Sequence, residues 1–337
     1  MKIILDAMSG DNAPLEIIKG AIMVINELNT DLVITGSREI IESVAAENKL
    51  DLTSERLEIV HTTEIITMDD PMLSVKRKKD SSMSVGLQML SDGLGDAFVS
   101  AGNTGALYAG ASLIVLRIKG FRKAAIAQIL PFEKPCLLID AGANINVTEE
   151  NLEQFAIMGS IYMQKIFNVE NPEVGLLNNG TERSKGTQVL QDTYVRLSEM
   201  PEINFVGNVE SKQLPFGVCD VIVTDGFTGN VVLKLVEGLG AFFMTKLKDI
   251  FYKNPITKVS AAMIKKDLNK FKQDFDPSEH GGAPFLGISK PVIKAHGSSD
   301  ALAIKNAIKQ AIGFINTELI YEIAKHTIEK AKDSEEE

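Results

Sequence analysis

Cysteine is scarce in this chain of 337 residues, with only two, so no disulfide framework can form and a reducing compartment is expected. Cys136 and Cys219 sit in or beside apolar runs, with no C-x-x-C pair and no nearby histidine, and read as core thiols. The four histidines, at 61, 280, 296 and 326, lack metal-ligand spacing, so no metal is expected. No G-x-G-x-x-G occurs, and Gly175-x-x-x-x-Gly180 is followed by Thr181 where a Walker loop needs lysine. No G-x-S-x-G elbow is present either. Nicotinamide, nucleotide and zinc chemistry lose support, as does covalent nucleophilic catalysis, and no cofactor is expected. Long apolar runs are missing too. The N-terminus reaches Asp6 after Ile3-Ile4-Leu5, so no secretory signal is expected. The longest uncharged stretch, Ala97 to Leu116, contains Asn103-Thr104-Gly105, a turn that would strand backbone polar groups in lipid. It reads as strand, loop and buried helix, not as a membrane span.

Positive charge is the minority: 35 Lys and Arg against 45 Asp and Glu, a net charge of −10. That balance argues against nucleic acid as a partner. The average conceals a basic island, however. Between 246 and 272 eight lysines face only Asp249 and Asp267, a local charge of +6 on a remainder of −16. A second basic run, Lys76-Arg77-Lys78-Lys79, precedes Asp80-Ser81-Ser82. Apolar residues at 45% and charged residues at 24% are ordinary for a globular chain and exclude disorder.

A short apolar run, a Gly/Asn/Asp loop and a helical pattern recur in that order. The runs Ile3-Ile4-Leu5, Ala97-Phe98-Val99, Leu137-Leu138-Ile139, Val174 to Leu177, Val221-Ile222-Val223 and Val292-Ile293-Lys294 each lead into such a loop. Unbroken apolar runs suit strands buried on both faces, and their alternation with helices predicts βαβ units in a largely parallel sheet. A three-layer α/β/α fold is expected, with right-handed crossovers placing the loops along one edge, where such sheets bind ligands. No linker divides the chain. It reads as one two-lobed domain over 1–332 with a helical excursion near 240–282, a helical C-terminal segment, and an acidic tail over 333–337.

The loops are rich in carboxamides: Asn12, Asn103, Asn144, Asn178, Asn179, Asn208 and Asn230. Glycine-flanked amides at helix N-termini hold anions, because free N–H groups and the helix dipole face the ligand. Ser100–Gly105 and Asp225–Asn230 are candidate cradles of this kind. Lys185, in the glycine-bounded loop 180–186, offers a mobile positive charge or is an ordinary surface lysine. His296, before Gly297-Ser298-Ser299, suits a general acid/base or a structural histidine. This inventory fits transfer onto or from phosphate without a covalent enzyme intermediate, an oxyanion being stabilised by fixed dipoles.

Leu5-Asp-Ala-Met-Ser-Gly-Asp-Asn-Ala-Pro14, Ser100-Ala-Gly-Asn-Thr-Gly-Ala106, Asp140-Ala-Gly-Ala-Asn144, Gly175-Leu-Leu-Asn-Asn-Gly180 with Glu182 and Lys185-Gly186, Asp225-Gly-Phe-Thr-Gly-Asn230 and Ala295-His-Gly-Ser-Ser299 follow one another along the chain. This ordered set resembles the bacterial phosphate acyltransferase family, from Met1 to about Lys332, with Ser9 where the family's glycine is expected. The resemblance implies a fold similar to isopropylmalate dehydrogenases and phosphotransacetylases, and a homodimer. It implies a cytoplasmic enzyme that moves a long-chain acyl group from acyl carrier protein to inorganic phosphate. The acyl phosphate would then serve a membrane glycerol-3-phosphate acyltransferase in phospholipid synthesis. A coenzyme A-dependent phosphotransacetylase or phosphobutyryltransferase is the alternative. On this footing Lys185, Asn103 and Gly102 are expected to hold phosphate. Asn230, Asp225 and Asn178 are assigned to carbonyl and carboxamide contacts, and His296 to proton transfer. Asp6, Asn12, Thr104, Asn144 and Glu182 complete the expected substrate-binding set.

The two basic segments suit different anionic partners. Residues 76–79 would steer a small acidic carrier protein. The segment of about 246–275 forms an amphipathic helical pattern, with Ile256, Val259, Met263, Leu268, Phe271 and Phe275 opposite Lys258, Lys265, Lys266 and Lys272. Such a helix suits an anionic membrane surface, a dimer partner or both. Ile256, Val259 and Met263 are the expected membrane contacts, making the association peripheral.

Overall fold

The computed structural model describes residues 1–132, 134–264, 266 and 281–326. The expected apolar positions Leu268, Phe271 and Phe275, and the acidic tail, lie outside the described residues. The strands are β1 (Lys2–Asp6), β2 (Asp31–Gly36), β3 (Leu57–His61), β4 (Ala97–Ser100), β5 (Ala125–Leu130), β6 (Cys136–Ile139), β7 (Glu173–Asn178), β8 (Asn204–Glu210), β9 (Val221–Val223), β10 (Ala283–Leu286) and β11 (Val292–Lys294). They form one sheet in the order β3-β2-β1-β4-β11-β10-β5-β6-β9-β7-β8. All six apolar runs singled out in the sequence are strands, and the sheet is largely parallel as expected.

Strand direction differs from the sequence expectation. β3, β2, β1, β4 and β11 are mutually parallel, and so are β6, β9, β7 and β8. Between the two blocks, β10 is antiparallel to both β11 and β5, and β5 is antiparallel to β6. Three reversals make the blocks run in opposite directions. Register then fixes where they meet. Ala283 pairs with Lys294, Leu286 with Ala125, and Ala127 with Ile139. The last residues of β11 and β6 therefore lie at nearly the same height. The loops do not share one edge; two sets converge on the middle of the sheet from opposite sides.

Alternate residues of each strand face opposite layers. Ile3, Leu5 and Ile293 pack under the helices Leu15–Glu27 and Ala301–Asn316, whose Ile17, Ile18, Ala21, Ile304, Ala307 and Ile308 are fully or almost fully buried. Ile4, Val33 and Phe98 face Met83, Leu87 and Leu90 of the helix Ser82–Ser91 on the other side. In the second block, Leu137, Ile139, Val221 and Val223 pack under Leu152, Phe155 and Ala156 of the helix Glu149–Phe167. Each large side chain so enclosed contributes about 1.5–3 kcal/mol. The stretch 97–116 is a strand, a loop and a helix that ends in the π turn Ala111–Val115.

One helix stands apart. Gly226–Phe251 starts at the carboxyl end of β9 and is long and apolar enough, by length and composition, to cross a membrane. It docks through its first two turns, where Gly226 and Gly229 are buried and Val232 and Leu233 pack against the core. Val231, Leu235, Phe242, Phe243 and Ile250 are exposed along its length. The following helix, Pro255–Met263, exposes Ile256, Val259 and Met263. The helical excursion thus begins at 226, ahead of the expected 240.

Candidate active site

Most of the polar loop residues build the loops themselves. Asp6, at the end of β1, is 1% exposed and accepts hydrogen bonds from the hydroxyls of Ser82 (2.6 Å) and Ser100 (2.7 Å). Burial raises its carboxyl above the usual range, against the lowering effect of those hydroxyls. Asp140, at the end of β6, accepts from the backbone amides of Ile126, Gly142, Ala143 and Asn144 and from Asn144 Nδ2. Burial again raises the carboxyl, and these donors offset it. Asn144 also donates to the Ala124 carbonyl and accepts from the Tyr108 hydroxyl, so its carboxamide is committed on both ends. The polar atoms of Asp6 and Asn144 are engaged by the protein itself. They hold strand ends in place.

The other carboxamides follow suit. Asn12 Nδ2 donates to the carbonyls of Ser298 and Ser299, tying the β1 loop to the β11 loop. Asn103 caps its helix through Ala106 N and donates to the carbonyls of Thr67, Met68 and Asp70. Gly102 is required by space, since a Cβ there would sit 2.7 Å from Met83 Cε and Ser9 Cβ. Asp225 caps the Gly226 helix, its two oxygens accepting from Thr228 N (2.9 Å) and Thr228 Oγ1 (2.7 Å). Gly226 N donates to Asn144 O. The Asp225–Asn230 turn is thus a capped helix start in which Gly226 N and Thr228 N already have partners within the protein. Asn178 donates to Lys185 O and Asn208 Oδ1 and accepts from Asn179 N. Lys185 and Glu182 are exposed on that stapled loop.

A cavity of about 590 Å³ lies where the two sets of strand ends converge. Its wall includes Asp11, Thr104, Gly142, Asn230, Lys234, Glu237, Lys294, His296, Ser298 and Ser299. Of the expected site residues, Thr104, Asn230 and His296 line it. Lys185, Asn178, Glu182, Asp225, Asn144, Asn12, Asp6, Asn103 and Gly102 do not. Asn230 Nδ2 makes a 3.3 Å bond to Ala141 O at the cavity wall. His296 Nδ1 pairs with Ser298 Oγ at 2.8 Å. Partial burial, and then Lys234, lower its pKa, which favours the neutral imidazole.

Two cations escaped the sequence reading. Lys294 ends β11 and is 9% exposed; its ammonium donates to the carbonyls of Ala101 (3.3 Å) and Ala295. Burial and the charge of Lys234 bring its pKa down to about 8. Lys234 projects from the Gly226 helix and pairs with Glu237 at 2.7 Å. A charged residue closing the apolar run Val292-Ile293 was the available signal.

The chain matches the family model described as "Fatty acid synthesis protein" over residues 1–322. It is 46% identical over 326 residues, 96% of each chain, to the phosphate acyltransferase of Alkaliphilus oremlandii (strain OhILAs). It is 44% identical over 326 residues, 96% of this chain and 95% of the other, to that of Clostridioides difficile (strain 630). Among solved structures, the EutD phosphotransacetylase from Staphylococcus aureus aligns with a TM-score of 0.62 at 15% identity, covering 95% of this chain and 94% of that one. A 4-hydroxythreonine-4-phosphate dehydrogenase described as putative, from Salmonella typhimurium, aligns at 0.55 and 11% identity, covering 93% and 98%. These structural likenesses establish the fold. The identity and coverage of the sequence matches establish more: the chain belongs to the bacterial phosphate acyltransferase family and is an acyltransferase.

Proposed function

We propose that the protein transfers a long-chain acyl group from the thioester of an acyl carrier protein to inorganic phosphate, in the central cavity. Full-length kinship with proteins named phosphate acyltransferase carries this reading. The chemistry suits the wall. A hydrogen phosphate oxygen attacks the thioester carbon, the C–O bond forms, and the C–S bond breaks with its electron pair on sulfur. The proton of the phosphate ends on the departing thiol, and His296 is placed to relay it. Asn230 is the carboxamide available to the developing oxyanion, a well-aimed donor being worth roughly 3–4 kcal/mol.

Carrier protein as donor is supported by the exposed Lys76, Arg77 and Lys79, which complement an acidic surface. The exposed apolar helices 226–251 and 255–263 suit a homodimer contact and peripheral binding to the cytoplasmic face of a membrane, where a glycerol-3-phosphate acyltransferase would consume the product. The phosphotransacetylase fold supports a second reading, coenzyme A as thiol carrier. Purified protein mixed with acyl carrier protein thioester and phosphate, then hydroxylamine, is expected to yield acyl hydroxamate only when phosphate is present. The coenzyme A thioester at equal concentration should react more slowly. Thiol release without a phosphate requirement overturns the reaction, and faster turnover of the coenzyme A thioester overturns the choice of carrier.

A further inference from the structure

We propose that Lys294 is a catalytic residue whose ammonium, together with that of Lys234, seats the inorganic phosphate nucleophile in the central cavity. This rests on the reaction proposed above. Lysine is seldom buried without a carboxylate, because desolvating an ammonium is costly. The chain contains its own comparison. Lys305 is 8% exposed and bonded to Glu27, whereas Lys294 is 9% exposed and, among the described residues, has no ion pair with a carboxylate. Two carbonyls take two of its three N–H donors. The third is available to a ligand in the cavity that Lys294 helps to line.

The second cation completes the seat. Lys234 reaches the same wall from the Gly226 helix, close enough for its charge to act on Lys294. Two like charges held on one cavity wall repel, and a dianion placed between them converts that repulsion into attraction. Thr104, Ser298 and Ser299 add hydroxyls to the same wall. Asp11 and Glu237 are the carboxylates on it, and Glu237 is engaged by Lys234. In the transfer step Lys294 keeps its protons: it orients the phosphate and offsets its charge. The bonds made and broken remain those between phosphate, carbonyl carbon and thiol.

Titration calorimetry with inorganic phosphate at neutral pH tests the seat without an acyl donor. Lys294→Met is expected to weaken phosphate binding by roughly ten- to hundred-fold, the range for losing a charged hydrogen-bond partner. In turnover the KM for phosphate should rise while that for the thioester holds. Lys294→Arg should recover part of the loss, and Lys212→Gln, an exposed residue outside the cavity wall, should bind as the wild type does. Lys234→Gln, on an exposed helix face, gives a reading even if Lys294→Met does not fold, and should also weaken binding. Wild-type phosphate affinity in Lys294→Met, or in Lys234→Gln if the former fails to fold, overturns the proposal. Lys294-dependent phosphate binding in a protein that forms no acyl hydroxamate would leave the seat standing and remove the reaction. Hydroxamate formation by Lys294→Met with unchanged phosphate KM would do the reverse.

Discussion

Lys294 and Lys305 are equally enclosed, yet only Lys305 meets a carboxylate, so Lys294 carries a desolvation cost that its local bonds do not cancel. The groups that face it are Lys234 and Glu237 from the Gly226 helix, Asp6 and Asp11 from β1 and its loop, and His296 beside it. With a folded pKa of about 8 against an ordinary 10.5, the unfolded chain binds more protons between those two values. Stability therefore rises with pH across that window, and the penalty is fully developed below it. Lys294→Met removes the group. It should be more stable than the wild type at pH 7, by on the order of 1–3 kcal/mol if the thioether fills the space. Denaturant melts at pH 7, 8.5 and 10 would show the gap closing as pH rises, and a gap constant with pH would refute the account. In the sequence Lys185 stands out by its glycine-bounded loop, whereas Lys294 only closes an apolar run. Sequence marks loop context, whereas burial of a strand end depends on which distant segments pack over it.

At the scale of elements, the cavity depends on how closely the Gly226 helix approaches the end of β6. A Cβ on Gly229 would lie 1.9 Å from the Asp140 carbonyl oxygen, and one on Gly226 would lie 2.6 Å from Asn144 N. Both atoms are backbone and belong to the loop that Asp140 pins with five hydrogen bonds. Neither partner can yield cheaply. Gly229→Ala must push the helix start away, moving Asn230 and Lys234 at the cavity. The expected cost is about 1–3 kcal/mol of overpacking, together with a fall in kcat greater than the loss of folded protein explains. Thermal melts beside turnover would check this, and a fully active, fully stable Gly229→Ala would show that the helix start is looser than its contacts indicate. The glycines and asparagines of these loops were visible as a pattern. Their division into builders and wall-liners was not, because much of it turns on distant partners, such as Tyr108 for Asn144, 36 residues away, and Ser298 for Asn12, 286 residues away.

Across the whole molecule, the six apolar runs foretold the strands and the layered α/β class, since burial on both faces is written locally. The opposed directions of the two blocks were not legible, because they follow from the long-range pairing of β10 with β5 and β11. That convergence places the cavity in the centre and sends the Gly226 helix outward from it. Its far end and the Pro255–Met263 helix then carry apolar side chains with no cover among the described residues: Ile256 is 79%, Val259 63% and Met263 82% exposed. Lys246, Lys248, Lys253 and Lys258 lie on the same arm. Burying three such side chains is worth about 1.5–3 kcal/mol each, and each lysine near an anionic surface adds about 1 kcal/mol. Together these suffice for reversible binding that salt weakens. The wild type should therefore float with anionic vesicles at low salt and leave them at high salt. Ile256→Asp, Val259→Asp and Met263→Asp combined should abolish flotation while acyl transfer from a soluble thioester persists. Sedimentation of the same variant separates the two uses of the arm. If the wild type sediments as a dimer and the variant as a monomer that still floats, the face belongs to a second copy of the chain; if the variant sediments as the wild type does and no longer floats, the face belongs to the membrane.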